Sequence, residues 1–470
     1  MIETHAFAKA DVAVFGLARS GLSSVRALVH GGARVFAWDD KDSSREIARA
    51  QGAVIKPFAE WPWATLKALV LSPGVPLTHP EPHAVVRTAK DANVAIIGDV
   101  EIFAREIRVD RNAQGRAPVI AITGTNGKST TTALIGHILS ECAYNAERGG
   151  NIGKPVLELA QPTAKTVYVL EISSYQIDLS PGLTPDVGVL TNITPDHIDR
   201  HGTLENYAAV KARLLTQTAK SGRVCIGVDD LHTSAIYTQI SSNGSAEAVP
   251  VSVGKVLGRG IFVLGGALYD AQGQRAVKVM DLTSATHLPG AHNWQNAALA
   301  YAAVKPFVKD QRAIAEAIAN FPGLAHRMED VGRVGKVRFV NDSKATNADA
   351  TQRALVCFGD IYWIVGGRAK EGGIESLKPL FDRVRKAYLI GEAADDFANS
   401  LAETPHENVR TLDRAVEMAY ADARNSGGVA PVVLLSPACA SFDQFKDYEQ
   451  RGDAFRDLVA QLSAPERQAS

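Results

Sequence analysis

Short runs rich in Val and Ile alternate with segments of helical apolar spacing along almost the whole chain. Asp11–Phe15 (DVAVF), Arg34–Trp38 and residues 68–71 and 94–97 are runs of the first kind, while Leu22, Val25, Leu28 and Val29 share one face of a helical segment. A helix between two strands brings the second back parallel to the first. The alternation therefore predicts an α/β fold of parallel sheets covered by helices. A chain of 470 residues is too long for one such sheet, and at about 150 residues per domain three are expected. A second set of strands opens at 118–123 (PVIAIT) and includes 167–172 (VYVLEI) and Val187–Leu190. It closes on a Gly-rich stretch, 246–281, that reads as a small antiparallel addition. FPG at 321–323 breaks the pattern, and a third set follows at 337–340, 361–365, 387–390 and 432–435. The expected domains are 1–100, 101–323 and 324–470. The polar stretch 105–118 is expected as an exposed loop or hairpin and the tail 463–470 as frayed.

The clearest chemical signal is residues 120–132, IAITGTNGKSTTT. A β-rich run feeds a Gly-containing loop, then Lys128, Ser129 and a helix-like segment. Such a loop cradles phosphate: backbone N–H groups and a helix N-terminus face the anion, a lysine adds a point charge, and a hydroxyl can ligate Mg²⁺. The spacing departs from GxxxxGK[ST], since Ile122 stands at the first Gly position and Gly124 supplies the flexible point. Lys+Arg 50 against Asp+Glu 51 gives a net charge of -1. That balance argues against a nucleic-acid binder, so phosphate must be handled locally. No run approaches the ~18 apolar residues of a membrane span, and no signal peptide is read at the start. The four cysteines, Cys142, Cys225, Cys357 and Cys439, form no CxxC pair. A reducing, cytoplasmic setting is expected, without disulfides or a zinc cluster.

Three further positions bear on the phosphate loop. Glu171 ends VYVLEI, where a carboxylate faces the ligand crevice of a parallel sheet and can join Ser129 at Mg²⁺. His197 follows the next strand by seven residues; on its own it reads as a polar loop residue. Lys211 lies in a helical segment and on sequence grounds is a surface lysine. Near the start, Gly16, Ala18 and Gly21 form G-x-A-x-x-G between a strand and a helix, and Asp39 ends the next strand. Read alone, this is a weak dinucleotide signal.

TGTNGKST, then GGNIG at 149–153, EISSYQ at 171–176 and TNITPDHIDRH at 191–201 together resemble the Mur ligase family. These are ATP-dependent amide-forming enzymes of peptidoglycan precursor synthesis, with folylpolyglutamate synthase as a relative. Matching motifs run from Gly16 to Gly452. The resemblance implies a Rossmann-like N-terminal domain, a central P-loop ATPase-like domain with a parallel sheet, and a Rossmann-like C-terminal domain. It also implies ATP contacts at Gly124, Thr125, Asn126, Gly127, Lys128, Ser129 and Thr130, with Asn296 at the adenine and Arg327 and Asp342 from the third domain. Two Mg²⁺ ions are implied, with Ser129, Glu171, His197 and a CO₂-derived carbamate on Lys211 as ligands; Lys128, His197 and Lys211 are the catalytic candidates. A UDP-muramoyl substrate would meet Gly16, Leu17, Ala18, Arg19, Asp39, Asp40, Ser72, Gly74 and Asn151. NDSKATN at 341–347, Lys370 in GGRAKEGG, SPACASFDQF at 436–445 and KDYEQRG resemble the D-glutamate-adding members. Lys344, Thr346, Lys370, Ser441, Phe442 and Tyr448 would then bind D-glutamate, and UDP-N-acetylmuramoyl-L-alanine would be the acceptor.

Other readings remain open at this point: another Mur ligase or a folylpolyglutamate-type ligase, a Rossmann dehydrogenase suggested by GLARSG and Asp39, or a non-catalytic nucleotide-binding module. A monomer is expected, with no nucleic-acid partner and no membrane insertion. Cys439 in SPACAS is not expected to be a nucleophile, because no step of amide ligation needs a thiolate.

Overall fold

The computed structural model describes residues 1–107, 117–244, 246–370 and 372–467, with side chains described to residue 462. Most of the 105–118 stretch and residues 468–470 lie outside the described residues. The last helix, Tyr448–Arg467, continues through 463–467. That part of the tail is therefore helical, not frayed.

The chain divides into two compact units, Met1–Phe321 and Pro322–Ser470. The first unit holds two sheets. Strands β1 (Asp11–Phe15), β2 (Arg34–Trp38), β3 (Val54–Ile55), β4 (Leu66–Leu71) and β5 (Ala95–Ile97) lie in the order β3-β2-β1-β4-β5, all parallel. The second sheet contains β6 (Val119–Thr123), β7 (Asn145–Gly150), β8 (Thr166–Glu171), β9 (Val187–Leu190), β10 (Arg223–Gly227), β11 (Glu247–Val253), β12 (Ile261–Leu264), β13 (Ala267–Asp270) and β14 (Val277–Asp281). Its order is β14-β13-β12-β11-β10-β9-β6-β8-β7. β10, β11 and β12 pair in parallel, and only β12 to β14 are antiparallel. The antiparallel addition expected at 246–281 thus begins later, because β11 pairs in parallel with β10. The Gly265–Gly266 turn then makes the first hairpin of the edge.

Strand order decides where ligands can sit. β6 lies between β8 and β9, so the chain leaves β6 toward β7 and β8 on one side and later returns to β9 on the other. The loop after β6 therefore opens into the crevice where the winding reverses. The same holds between β1 and β4 in the first sheet.

The helix Asp99–Ile107 is buried on nearly all sides. Phe103 packs edge-on against Tyr168 of β8, with ring centroids 5.1 Å apart. One apolar cluster joins Val12, Val14 and Val70 of the first sheet to Val119, Tyr168 and Leu170 of the second. Asp99, at the first turn of this helix, is 3% exposed. Burial outweighs the pull of the Val100 N–H and Gln176, and raises its pKa from 3.8 to about 6. The unfolded chain thus ionises first, and stability falls as pH rises from about 4 to 6. Above that window the buried carboxylate costs up to about 3 kcal/mol. Asp99→Asn should raise the melting temperature at pH 8, with the gain shrinking as pH falls toward 4; thermal unfolding across that range checks it.

The second unit is one sheet of β15 (Glu329–Val334), β16 (Val337–Asn341), β17 (Ile361–Gly366), β18 (Val384–Ile390), β19 (His406–Arg410) and β20 (Val432–Leu435), ordered β15-β16-β20-β17-β18-β19. All pairs are parallel except the edge β15–β16. The loops after β16, β17 and β20 therefore leave the same edge of the sheet side by side.

Candidate active site

The loop after β6 is held in place by the loop after β9. Thr125 N–H donates to Asn192 O (2.8 Å) and Asn126 N–H to Asn192 Oδ1 (3.0 Å). Thr191 Oγ1 donates to Asn126 O (2.6 Å). Thr194 N–H donates to Thr125 Oγ1 (3.1 Å). Gly124 and Gly127 have φ of +139° and +83°, and a Cβ would lie 1.9 Å from Thr191 Oγ1 and 2.2 Å from Asn296 Oδ1 respectively. Neither conformation nor space admits a side chain. Gly127 precedes the helix Lys128–Glu141, so the N–H groups of its first turn face the loop. Ser129 and Thr130 lie buried in that turn. Asn296 accepts from Thr131 Oγ1 (3.3 Å) and donates to Asn293 Oδ1 (3.2 Å), which sets its amide against Gly127.

Two lysines converge here. Lys128 Nζ donates to Gly124 O (2.9 Å) and Thr125 O (2.7 Å), and Lys211 Nζ donates to the same Gly124 O at 2.8 Å. Lys211 is not on the surface: it is 1% exposed. Its helix, Leu204–Thr216, buries Tyr207, Ala208, Lys211, Leu214 and Leu215. That is a helical stripe in which the lysine takes a core position. The signal was available in the sequence as a lysine on an otherwise inward face. The Lys211 ammonium lies over the Tyr207 ring, 4.5 Å from its centroid. Burial, and then the Lys128 charge, drive its pKa well below the usual lysine value. Tyr207, whose hydroxyl is 3.2 Å from Thr125 Oγ1, was not among the candidates from sequence; neither were Thr191, Asn192 and Thr194.

Glu171 ends β8 opposite Ile122 and is 2% exposed. Oε1 accepts from Asn151 Nδ2 at 2.9 Å, whereas Oε2 is buried without a partner. Asn151, expected at the nucleotide-sugar substrate, thus orients Glu171. A buried carboxylate oxygen left open, on a group whose charge reaches Lys211, suits a cation. Among the described residues no group of three or more His, Cys, Asp or Glu could hold a metal by itself. A cation here would depend on Ser129, Glu171 and phosphate oxygens, the sparse donor set that Mg²⁺ accepts. His197 has φ +53° and its Nδ1 lies 3.0 Å from the Tyr175 hydroxyl. Burial lowers its pKa; the charges of Lys211 and Lys128 act in the same direction, and Asp196 opposes them.

In the first sheet, Gly16 (φ +88°) follows β1, and a Cβ there would meet Ser72 Cβ at 2.6 Å. The two loops of this crevice therefore touch. Asp39 Oδ2 accepts from Leu17 N–H (2.5 Å), fixing the glycine turn. Leu17 is 1% exposed, so it can offer a ligand only its backbone; its side chain belongs to the core. Ala18, Arg19, Asp40 and Gly74 are exposed around the crevice.

In the second unit, Asp342 follows β16 and accepts from Met328 N–H (3.1 Å) and Ser436 Oγ (2.8 Å). Burial raises its pKa to about 6, against the pull of Ser436 and the Arg327 charge. Lys344 Nζ lies 5.4 Å from the Tyr448 ring centroid, and Thr346 N–H donates to Lys344 O (2.9 Å). Arg368 and Ala440 exchange backbone hydrogen bonds of 2.9 and 3.0 Å, which ties the loop bearing Lys370 to the one bearing Ser441. Ser441 is 2% and Phe442 65% exposed, and Lys370 is exposed. Cys439 is buried, and burial pushes its thiol up to about 12, which leaves no thiolate at neutral pH.

Three segments match family models. Residues 10–98 match the Mur ligase MurD-like N-terminal domain, 122–304 the Mur ligase middle domain, and 326–439 the Mur ligase glutamate ligase domain. The chain is 52% identical over 465 residues to the UDP-N-acetylmuramoylalanine--D-glutamate ligase of Caulobacter vibrioides (strain NA1000 / CB15N), covering 99% of this chain and 98% of that one. The protein of the same name from Phenylobacterium zucineum (strain HLK1) is 52% identical over 464 residues, at 98% coverage of both. Among solved structures, UDP-N-acetylmuramate-alanine ligase MurC from Thermotoga maritima aligns with a TM-score of 0.59 at 15% identity, covering 96% of this chain and 99% of that one. The UDP-N-acetylmuramoylalanyl-D-glutamyl-2,6-diaminopimelate--D-alanyl-D-alanyl ligase of Acinetobacter baumannii aligns at 0.58 and 18% identity, covering 91% and 90%.

Proposed function

The chain belongs to the Mur ligase family, and on that footing we propose that it joins D-glutamate to UDP-N-acetylmuramoyl-L-alanine at the expense of ATP. One observation carries the chemistry. A glycine loop at a helix N-terminus is crossed by two lysines on one carbonyl oxygen, beside a buried carboxylate oxygen with no partner. This is a site for a polyphosphate and a cation. The choice of substrates rests on the relatives of that name.

A carboxylate does not condense with an amine in water without activation. The L-alanyl carboxylate oxygen bonds to the γ-phosphorus as the bond to the β-phosphate oxygen breaks, giving an acyl phosphate and ADP. The D-glutamate amine then adds to the acyl carbon, phosphate leaves with its C–O bond electrons, and the amine gives up a proton as the amide forms. Lys128 and the first-turn N–H groups balance the charge that spreads over the phosphoryl oxygens. Gly124, Thr125, Asn126, Gly127, Ser129 and Thr130 wrap the phosphates, with Asn296 at the adenine; Arg327 and Asp342 are nucleotide contacts of the second unit. Ser129 and Glu171 would hold one Mg²⁺, and His197 with a Lys211 carbamate a second; bound there, the ions would neutralise phosphoryl charge. Gly16, Leu17, Ala18, Arg19, Asp39, Asp40, Ser72 and Gly74 form the UDP cleft.

The functional modules are 1–100 for the UDP substrate, 101–323 for ATP and 324–470 for the amino acid. No described helix is long and apolar enough to cross a membrane, and we place the enzyme in the cytoplasm as a monomer.

Glutamate brings two carboxylates, and Lys344, Lys370, Thr346, Ser441, Phe442 and Tyr448 offer the cations, hydroxyls, backbone donors and ring to clamp them. Clamping both fixes where the amine points, so only one enantiomer aims it at the acyl carbon. Product formation should occur with D-glutamate and not with L-glutamate. Losing a donor to a buried carboxylate costs about 2–5 kcal/mol, so Lys370→Ala should raise the KM for D-glutamate at least ~30-fold and leave that for ATP within about threefold. Equal rates with L-glutamate would favour a folylpolyglutamate-type ligase.

A further inference from the structure

The helix Ser174–Asp178 begins just beyond Glu171 and carries Tyr175 in its first turn. Its start is fixed by a reciprocal cap, with Gln176 N–H donating to Ser173 Oγ (3.2 Å) and Ser173 N–H to Gln176 Oε1 (3.1 Å). Tyr175 meets three side chains from the segment after β9, His197, Arg200 and His201, the last with ring centroids 5.7 Å apart. Its hydroxyl meets His197 Nδ1 at 3.0 Å, and the two rings are 5.0 Å apart and tilted by 56°. On its ring lies the Arg200 guanidinium, 4.9 Å from the centroid. Arg200 is 6% exposed, and its Nη2 donates to Val75 O at 2.7 Å and reaches Pro73 O at 3.4 Å. Those carbonyls belong to the loop after β4, which begins with the Ser72 that Gly16 touches. A buried arginine thus fastens the edge of the first crevice to the phenol that engages His197.

We propose that Tyr175 is a positioning residue for His197, and that Arg200 ties the setting of Tyr175 to residues 73–75 of the UDP cleft. His197 caps a helix of four residues, Ile198–His201, from a left-handed backbone conformation; so short a helix does little to orient its ring. The Tyr175 hydroxyl occupies Nδ1, which leaves Nε2, 3.5 Å from Asp196 Oδ2, as the nitrogen open to a cation; the tautomer with its proton on Nδ1 puts the lone pair there. Arg200 covers one face of the phenol and keeps it from turning away. The cleft that binds one substrate and the imidazole that serves the phosphoryl site are then joined by one stacked pair of side chains. This inference rests on the reading of His197 as a cation ligand.

The test measures Mn²⁺ binding to the enzyme with ADP in bicarbonate buffer, from the electron paramagnetic resonance signal of free Mn²⁺, alongside steady-state kinetics. His197→Ala should lose the weaker Mn²⁺ site; binding equal to the unsubstituted enzyme would refute the ligand reading itself. Tyr175→Phe keeps the ring and its stack on Arg200. It should weaken that Mn²⁺ site about tenfold and lower kcat, with the KM for UDP-N-acetylmuramoyl-L-alanine unchanged. Arg200→Met should weaken Mn²⁺ binding and also raise that KM; Arg200→Lys, which keeps one donor for Val75, substitutes if the methionine variant does not fold. If His197→Ala loses the site while Tyr175→Phe binds Mn²⁺ as the unsubstituted enzyme does, the positioning role is overturned. If only the arginine variants bind normally, the tie to the cleft is.

Discussion

Lys128→Ala should lose about two to three orders of magnitude in turnover while its melting temperature stays within about 2 °C of the parent. The side chain donates to Gly124 O and Thr125 O, and Gly124 O keeps Lys211 Nζ as a donor in its absence, so little stability depends on it. Its charge matters when phosphoryl oxygens occupy the loop. A single preorganised donor at such a site contributes about 3–4 kcal/mol to the transition state, and ~1.4 kcal/mol is each tenfold in rate. Phosphate release with both substrates present measures the loss. Retention of more than about a tenth of turnover would remove the phosphate-loop assignment.

Lys211→Ala should be as damaging, for a different reason, and should be partly repairable. Lys211 is 1% exposed and lies beside a second ammonium, and burial drives its pKa well below normal, toward the neutral amine. That is the form that attacks CO₂; on our proposal, loss of a proton then leaves a carbamate, an anion with two oxygens. Alanine removes those oxygens and opens a space of about their size. Formate or acetate should fill it and restore turnover at least tenfold over the unsupplemented variant, while the Lys128→Ala enzyme should gain nothing from either. A Lys211→Ala enzyme with normal activity in CO₂-depleted buffer would show that the amine is only a structural donor to Gly124 and Thr123.

The strand ends were readable because a parallel strand buried on both faces is a continuous apolar run, and the residue after it must be a loop residue. Gly16, Gly124, Glu171 and Asn341 all stand at or just past such ends. Lys211 was misread because a charged residue is assigned to solvent by type, while the stripe formed by Tyr207, Ala208, Leu214 and Leu215 places its position inward. Leu17 serves two purposes that residue type alone does not separate: its side chain belongs to the core while its backbone stays in the glycine turn. Tyr175 and Tyr207 went unnoticed because what matters in each is a hydroxyl reaching a partner far along the chain, and no local pattern encodes that. The parallel pairing of β11 with β10 was hidden by the glycines that follow it, which mark the later hairpin and not where it starts.

The crowding of Gly124 and Gly127 bears on how this enzyme could escape an inhibitor. A compound that takes its hydrogen bonds from the backbone of this loop meets two positions where a new side chain would collide with Thr191 or with Asn296. Adding bulk beside a bound compound is one route to resistance, and here that route is closed at both glycines. Substitutions that evade such a compound would have to arise in the residues around the loop, where the compound need not make any contact.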